Sequence, residues 1–173
     1  NARLFNETQE ALQRQTASAD ILRVISQSPT DVRPVFDAIV AAAVRLLGVD
    51  MSFVFRCKAN AISVEAGASP AGPMDVGMPD LPIDPADNFP AQAVVGKAMV
   101  HLPDWSAIEL PEHERRIREA FGVGSALYLP LLRGDDCVGV LVLGSKRANA
   151  FNHKAIALAE SFRDQAVIAI ENV

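Results

Sequence analysis

Residues 125–145 read SALYLPLLRGDDCVGVLVLGS, and this stretch decides the fold class. Two apolar runs, at 125–133 and 137–144, flank a polar turn at Gly134-Asp135-Asp136. A polar turn between two strand-length runs is the pattern of a β-hairpin. Because both runs are apolar at odd and even positions alike, side chains on both faces of these strands should be buried. The pattern predicts a hairpin at the centre of a sheet that is covered on each side.

A second hairpin is predicted earlier in the chain. In residues 51–58 apolar side chains occupy alternate positions, Met51, Phe53, Phe55 and Cys57, which places them on one face of a strand. A short break at 59–60 leads into another strand-like run at 62–66. A further short strand is predicted at 99–102, ending before Pro103.

Five segments have apolar residues at helical spacing or residues typical of helix ends. They are 4–25, 32–47 ending at Gly48, 89–98, 111–122 opening at Pro111 and ending at Gly122, and a last helix capped by Asn152 that runs to the end of the sequence. In the first segment Phe5, Leu12 and Ala19 recur every seventh residue, but polar residues interrupt the stripe. The first helix is therefore either a weak coiled-coil seam or a plain surface helix.

The charged run from His113 to Glu119 has the spacing of paired charges on a helix. Glu112 and Glu114 each precede an arginine, Arg116 and Arg118, by four residues. Charges at this spacing are neighbours on one side of a helix and pair there. The run is predicted to be a solvated helix face and not an anion site.

Residues 67–88 combine prolines with acidic side chains and predict an irregular loop. A loop of this length inside a compact domain is either a lid or binding loop, or a mobile surface excursion. The sequence leaves both alternatives open.

The charge distribution excludes some partners. The formal net charge is −5, and no Lys or Arg lies between Lys58 and Lys97. Nucleic acid binding needs clustered cations, so no nucleic acid partner is expected. No apolar run approaches the roughly 18 residues of a membrane span, and no signal-peptide pattern is present. We therefore expect a cytoplasmic segment without membrane contact.

The predicted order of elements gives an α+β fold. The run LYLPLLRGDDCVGVLVLGS, followed by Phe151 and the helix SFRDQAVIAIEN, closely resembles the last third of GAF domains, and Val100-His101-Leu102-Pro103-Asp104 matches too. This resemblance implies a central antiparallel sheet with the N- and C-terminal helices on one face and short helices plus a long loop on the other. It divides the chain into a signalling or linker helix at 1–27 and a GAF domain at 28–173 that ends in a second signalling helix.

The resemblance also implies a function. GAF domains serve as regulatory sensory modules, and the two ends of the chain are similar to the helices that join such modules in sensor histidine kinases of two-component systems. We expect a homodimer through residues 1–27 and 155–173 that binds a small molecule, dimerises, or does both. Two alternatives are a ligand-free dimerisation spacer, which would have a filled core, and a GAF module of a nucleotide cyclase.

No catalytic function is expected for this chain. His101, His113 and His153 lie in separate predicted elements without metal-ligand spacing, and neither a Walker-type loop nor a complete nucleophile elbow occurs. No metal or cofactor is predicted. The bilin-binding cysteine and the cyclic-nucleotide signature of some GAF domains have no equivalent here. An activity resembling that of the GAF-fold sulfoxide reductases would need Cys57 and Cys137 close together and exposed, and their apolar surroundings argue against it.

Six residues are candidates for ligand contact in the pocket that GAF domains form between sheet and short helices. Aromatic walls and a few polar groups are typical of such pockets. The candidates are Phe55, Phe89, Trp105 and Tyr128 as walls, with His101 or Asp104 as polar contacts. For the aromatic residues the alternative is core packing, for Asp104 a turn cap before Trp105, and for His101 the exposed end of a strand.

Overall fold

The computed structural model describes residues 2–27, 30–75 and 77–172. The helices are α1 (Ala2–Gln27), α2 (Arg33–Leu47), α3 (Phe89–Gly96), α4 (Glu112–Phe121) and α5 (His153–Glu171), with a 3-10 turn at Trp105–Ala107. The strands are β1 (Met51–Lys58), β2 (Ala61–Ser69), β3 (Gly72–Pro73), β4 (Leu81–Pro82), β5 (Val100–Leu102), β6 (Ser125–Arg133) and β7 (Asp136–Ser145). The predicted boundary between residues 27 and 28 adjoins Ser28 and Pro29, which lie outside the described residues.

The strands form one antiparallel sheet in the order β3-β2-β1-β7-β6-β5, with β4 also paired to β2. The β6–β7 hairpin has neighbours on both sides, β1 beside β7 and β5 beside β6. Both hairpins predicted from the sequence, β1–β2 and the central β6–β7, are confirmed. The α+β fold class of the GAF type is confirmed with them.

The two faces of the sheet are covered differently. The helical face is the side on which α2 and α5 pack on the sheet, with α1 packed on these two helices. Its core includes Phe36, Leu127, Leu129, Leu141 and Phe162. The cavity face is the opposite side. Its core is richer in aromatic residues and includes Phe53, Phe55, Phe89, Trp105 and Tyr128. Strand residues alternate between the faces because successive side chains point in opposite directions.

The helix ends follow the predicted chemistry. The Asn152 side chain accepts a hydrogen bond from the Ala155 amide at 2.9 Å and so caps the start of α5. Gly48 after α2 and Gly122 after α4 both adopt the left-handed conformation, with φ of 65° and 69°. In this conformation a glycine ends a helix without the strain of a Cβ.

The loop after β2 is tied to the sheet more closely than its sequence indicates. β2 runs on to Ser69, and the two-residue strands β3 and β4 both pair with it. The Ser63 hydroxyl donates to the Asp80 carboxylate at 2.7 Å, and the Asn88 amide donates to the Pro82 carbonyl at 2.9 Å. The Ser63 bond and the β4 pairing hold residues 80–82 against β2, and the Asn88 bond ties Pro82 to the start of α3.

The structure corrects the expectation that the two cysteines lie apart. Cys57 near the end of β1 and Cys137 near the start of β7 are half-buried, and their thiols form a hydrogen bond. Antiparallel pairing of β1 with β7 brings these two remote positions together. Within residues 2–27, 30–75 and 77–172, no helix combines the length and apolar character needed to cross a membrane.

Candidate ligand-binding cavity

A cavity of about 550 Å³ lies between the cavity face of the sheet, α4 and the segment around residues 78–82. This volume falls in the range of sites that hold small organic molecules. Apolar side chains dominate the wall, and five of them are aromatic, namely Phe53, Phe55, Trp105, Phe121 and Tyr128. The polar lining groups are Asp80, Asp87, Glu112, His113, Glu114 and Arg116.

Strand alternation positions the floor of the cavity. Phe53 and Phe55 on β1 point into it, as do Tyr128 on β6 and Val142 on β7. Tyr128 is paired with Val142 in the sheet, and Phe53 is paired with the same valine from the other side. Residues directly opposite one another share a face, so three neighbouring strands present their side chains together.

Glu114 is the polar group most deeply placed in this site. Only 2% of the residue is exposed, and one carboxylate oxygen accepts a hydrogen bond of 2.7 Å from the Phe89 amide at the start of α3. The other oxygen lies 3.7 Å from Nε2 of His113. Burial raises the pKa of Glu114 to about 7, against the favourable Phe89 bond. At neutral pH this carboxyl can therefore gain or lose a proton in response to a ligand.

Glu114 also corrects the prediction of a uniformly solvated α4. The predicted pair of Glu112 and Arg116 forms at 2.9 Å on the exposed side. Glu114 does not pair with Arg118 but faces the sheet, together with the half-buried Ile117 and Phe121. These three residues recur at helical spacing and so share one side of α4. The spacing of Glu114, Ile117 and Phe121 in the sequence indicates the buried side of α4. The charge pairs on the same helix suggested instead that this side is solvated.

An aromatic cluster supports the cavity wall. The Trp105 ring meets Phe89 edge-on at 5.4 Å between centroids, and Phe89 lies 5.9 Å from Tyr128. The buried Trp105 indole nitrogen has no hydrogen-bond partner among the described residues. Burial, with the nearby Glu114 charge, raises the pKa of Tyr128. The Tyr128 hydroxyl thus remains a neutral donor beside Glu114.

The structure brings four of the six predicted residues together. Phe55, Trp105 and Tyr128 line the cavity, and Phe89 packs behind them against Trp105 and Tyr128. That these residues contact a ligand stays a prediction.

His101 and Asp104 lie elsewhere. His101 is paired with Leu127, so its ring points to the helical face and meets Phe151 edge-on at 6.2 Å. Asp104 caps the 3-10 turn by accepting from the Ser106 amide at 3.0 Å and the Ser106 hydroxyl at 2.6 Å, and these bonds lower its pKa. Neither residue is among those that line the cavity, so neither is retained as a ligand contact.

A second, larger groove of about 730 Å³ runs between α2 and the β2–β3 edge. Of its charged residues, Arg33, Asp37 and Arg45 are exposed and Glu65 is half-buried. Exposed charges at a surface groove are solvated and do not select a ligand as a buried group does. Among the described residues, no group of three or more side chains is arranged to hold a metal ion.

The sheet, the helical layer on one face and the cavity on the other define an α+β domain with an interlayer site. Residues 31–170 match the sequence profile of the family described as GAF domain. The chain belongs to the GAF domain family. No curated protein matches the chain.

Solved structures share the fold at low sequence identity. The GAF domain of the Acinetobacter phosphoenolpyruvate-protein phosphotransferase is 17% identical, with a TM-score of 0.71, covering 94% of this chain and 93% of that one. Free methionine-R-sulfoxide reductase from Neisseria meningitidis, in complex with its substrate, is 16% identical, with a TM-score of 0.75 and coverage of 95% and 91%. The phycoerythrobilin-bound GAF domain of a cyanobacterial phytochrome is 16% identical, with a TM-score of 0.74 and coverage of 92% and 94%.

Proposed function

We propose that this GAF domain is a sensory module that binds a small organic molecule in its cavity and passes the signal to its terminal helices. The observation that carries the proposal is the 550 Å³ cavity lined by aromatic rings and by the buried carboxyl of Glu114. A ligand-free spacer would be expected to fill this space, because an empty cavity costs stability. The proposed role is regulatory, and catalysis by this chain is not part of it.

The lining favours a ligand with an apolar body and a protonated nitrogen or several N–H donors. Four carboxyl groups line the cavity, Asp80, Asp87, Glu112 and Glu114, and Arg116 is already paired with Glu112. A cation near Glu114 would stabilise its carboxylate and offset the burial that raises its pKa. Aromatic faces add a favourable interaction with a bound cation. Phosphate-bearing ligands are disfavoured by the same charges.

Strand β6 offers a physical route from the cavity to α5. Tyr128 lies on the cavity face, whereas its neighbours Leu127 and Leu129 pack in the core of the helical face beside Phe162. A shift of β6 on ligand binding would displace side chains on both faces. Packed cores transmit such shifts because they have little free volume.

The terminal helices α1 and α5 run in the same direction. Lys154 near the start of α5 meets Glu10 at 3.8 Å, and further along both helices the Gln165 amide donates to the Ser18 hydroxyl at 3.1 Å. Parallel helices would carry a displacement along one axis of the domain. The proposed parent is a sensor histidine kinase of a two-component system, with a nucleotide cyclase as the alternative, and the proposed location is cytoplasmic.

The proposed module is a homodimer through its terminal helices. Phe5 and Leu12 of α1 are 63% and 60% exposed and lie seven residues apart, and Ile168 of α5 is also exposed. Apolar residues at this period form the seam between two parallel helices. A second copy of α1 would cover them.

A thermal-shift experiment tests the ligand proposal. We would screen aromatic and aliphatic amines, each with its matched carboxylic acid, together with cyclic nucleotides. A ligand present at a hundred times its dissociation constant adds about 2.7 kcal/mol, which should raise the unfolding midpoint by roughly 5–10 °C. We expect the amines to produce the shift and the acids to produce none.

Two variants sharpen this experiment. Glu114→Gln should abolish the shift by an amine that wild type binds, while Glu119→Gln, which removes an exposed charge from the same helix, should retain it. If no compound of the panel shifts the unfolding midpoint, or if acids and amines shift it equally, the proposed ligand class is wrong.

Light scattering tests the dimer separately. Wild type should have the mass of two chains, and Leu12→Glu should have the mass of one because a charge would enter the seam. Gln13→Glu, an exposed control on the same helix, should remain dimeric. A monomeric wild type at high micromolar concentration would refute the dimer without affecting the ligand proposal.

A further inference from the structure

Two thiols that are remote in sequence meet at one end of the sheet. Cys57 near the end of β1 and Cys137 near the start of β7 both pack against the core of the cavity face, and both are half-buried. Their side chains are hydrogen-bond partners. Neither cysteine lines the cavity, so this pair is separate from the ligand site proposed above.

An irregularity in β7 brings the pair together. Val140 and Val142 face the cavity, while Leu141 and Leu143 face the helices. Unbroken alternation would turn Cys137 toward the helices as well. The register shifts after Leu131, which pairs with Gly139, whereas Leu132 pairs with Cys137. The extra residue, Val138, packs on the helical face, and Cys137 therefore returns to the face of Cys57.

Gly139 allows β7 to lie close to β1 beside this bulge. A Cβ at Gly139 would collide with the Phe55 carbonyl and would also meet the Leu131 side chain. Any larger residue would push the strands apart. The close approach keeps the ends of β1 and β7, and with them the two thiols, in register.

The two thiols differ in pKa, as a nucleophilic cysteine and its partner cysteine do. The hydrogen bond from Cys57 lowers the pKa of Cys137 to about 7, against the effect of burial, and backbone hydrogen bonds of Gly139 and Leu131 and then the charge of Lys97 lower it further. The same hydrogen bond and burial raise the pKa of Cys57, although the Arg56 charge lowers it. A thiolate reacts where a thiol does not, so the lower pKa marks Cys137 as the more reactive thiol of the pair.

We propose that Cys57 and Cys137 form an oxidant-reactive site that a hydroperoxide converts into an intrachain disulfide. The Cys137 thiolate attacks the terminal peroxide oxygen, an S–O bond forms, the O–O bond breaks, and the alcohol or water leaves after protonation. The Cys57 sulfur then attacks the Cys137 sulfenic acid. An S–S bond forms, and the hydroxyl leaves as water with the Cys57 proton.

The two thiols supply the two electrons that reduce the peroxide, and a small dithiol restores them by exchange. The disulfide would join β1 to β7 two positions from Phe55, on the same strand face. The disulfide would therefore lie next to the wall of the cavity without filling the cavity.

Peptide mass spectrometry of the intact protein tests this site. Folded wild type would be exposed to a small excess of hydrogen peroxide, alkylated to block remaining thiols, digested without reductant and analysed. The expected product is one peptide pair linked through Cys57 and Cys137 within a single chain, lost after treatment with dithiothreitol. A linkage between two chains, or two singly oxidised cysteines with no linkage, would overturn the proposal.

Single variants assign the roles. Cys57→Ser should stop at a sulfenic acid on Cys137 that dimedone traps, and Cys137→Ser should leave Cys57 largely unreacted over the same time. The rate of thiol loss in wild type should reach half its plateau near pH 7. Equal reactivity of the two variants would show that the thiols act independently. The linked peptide of wild type decides the proposal even if a variant folds poorly.

Discussion

The two faces of the sheet differ in what fills them. The helical face is covered by α2 and α5, with α1 packed on them, and its core contains apolar side chains such as Phe36, Leu141 and Phe162, each exposed by 1% or less. The cavity face surrounds a space of about 550 Å³ and buries the carboxyl of Glu114. The sheet therefore has a closely packed core on its helical face. On its cavity face it has a cavity and a buried ionisable group.

This difference separates stability from function. A closely packed apolar core supplies most of the free energy of folding. Empty volume and a buried carboxyl both lower stability, so they persist where a ligand offsets them. We expect substitutions on the helical face to act mainly on folding, and substitutions on the cavity face to act mainly on ligand binding and on pH dependence.

The largest expected effect on stability follows from removing the Phe162 ring from the helical face. Phe162 is 1% exposed and packs between α5 and the sheet. Phe162→Ala should lower the free energy of unfolding by about 4–5 kcal/mol, because the filled core cannot collapse around the hole. Urea denaturation measures this loss.

Phe55→Ala is the matched change on the cavity face. Its ring already borders empty space, so its removal forfeits fewer contacts, and we expect about 3 kcal/mol or less. Equal losses for the two variants would mean that the two faces are packed alike and that neither has unused volume.

The next effect is a pH dependence that belongs to Glu114. Its pKa is about 7 in the folded chain against 4.5 for an ordinary glutamate. Between these values the folded state binds more protons than the unfolded state, so Glu114 makes stability fall as pH rises from about 4.5 to 7. The total is roughly 3 kcal/mol.

Glu114→Gln should lack this fall. The stability of the variant relative to wild type should therefore rise by roughly 3 kcal/mol across the same window, as followed by urea denaturation at several pH values. Titrating groups that do not interact with Glu114 cancel in the difference between the two proteins. A stability difference between the two proteins that does not change with pH would mean that Glu114 is solvated.

The smallest effect concerns the caps of α3 and α5. Asn88 caps α3 by accepting from the Ala91 amide at 2.8 Å, and its fully buried side chain also donates to Pro82 at 2.9 Å. Asn152 caps α5 in an exposed position. Asn152→Ala should cost about 1 kcal/mol, and Asn88→Ala about 2 kcal/mol because buried partners lose their bonds. Thermal unfolding would show the order, and a reversed order would contradict the tighter enclosure of the cavity face.

Much of the fold followed from sequence because its signals are local. The alternation in residues 51–58, the apolar hairpin at 125–145, the Asn152 cap and the Gly122 terminator each depend on neighbours within a few positions. The aromatic residues Phe55, Trp105 and Tyr128 were identified as wall candidates, and the structure places all three around the cavity.

Three features did not follow from local patterns as they were interpreted. Charge pairing on α4 suggested that Glu114 was solvated, whereas the spacing to Ile117 and Phe121 carried the correct information. His101 was assigned to the cavity, although a shift by one strand position reverses the face. The cysteine pair depends on a bulge that no residue pattern announces.

The sequence by itself determined the periodicity of each element, the places where elements begin and end, and the acidic character of the segment between Lys58 and Lys97. Tertiary structure alone decided which of these faces meet. It enclosed a cavity around Glu114, turned His101 away from it and joined Cys57 to Cys137. The physical reason is that burial, pKa and thiol pairing depend on distances between residues far apart in the chain, and strand register and packing set those distances.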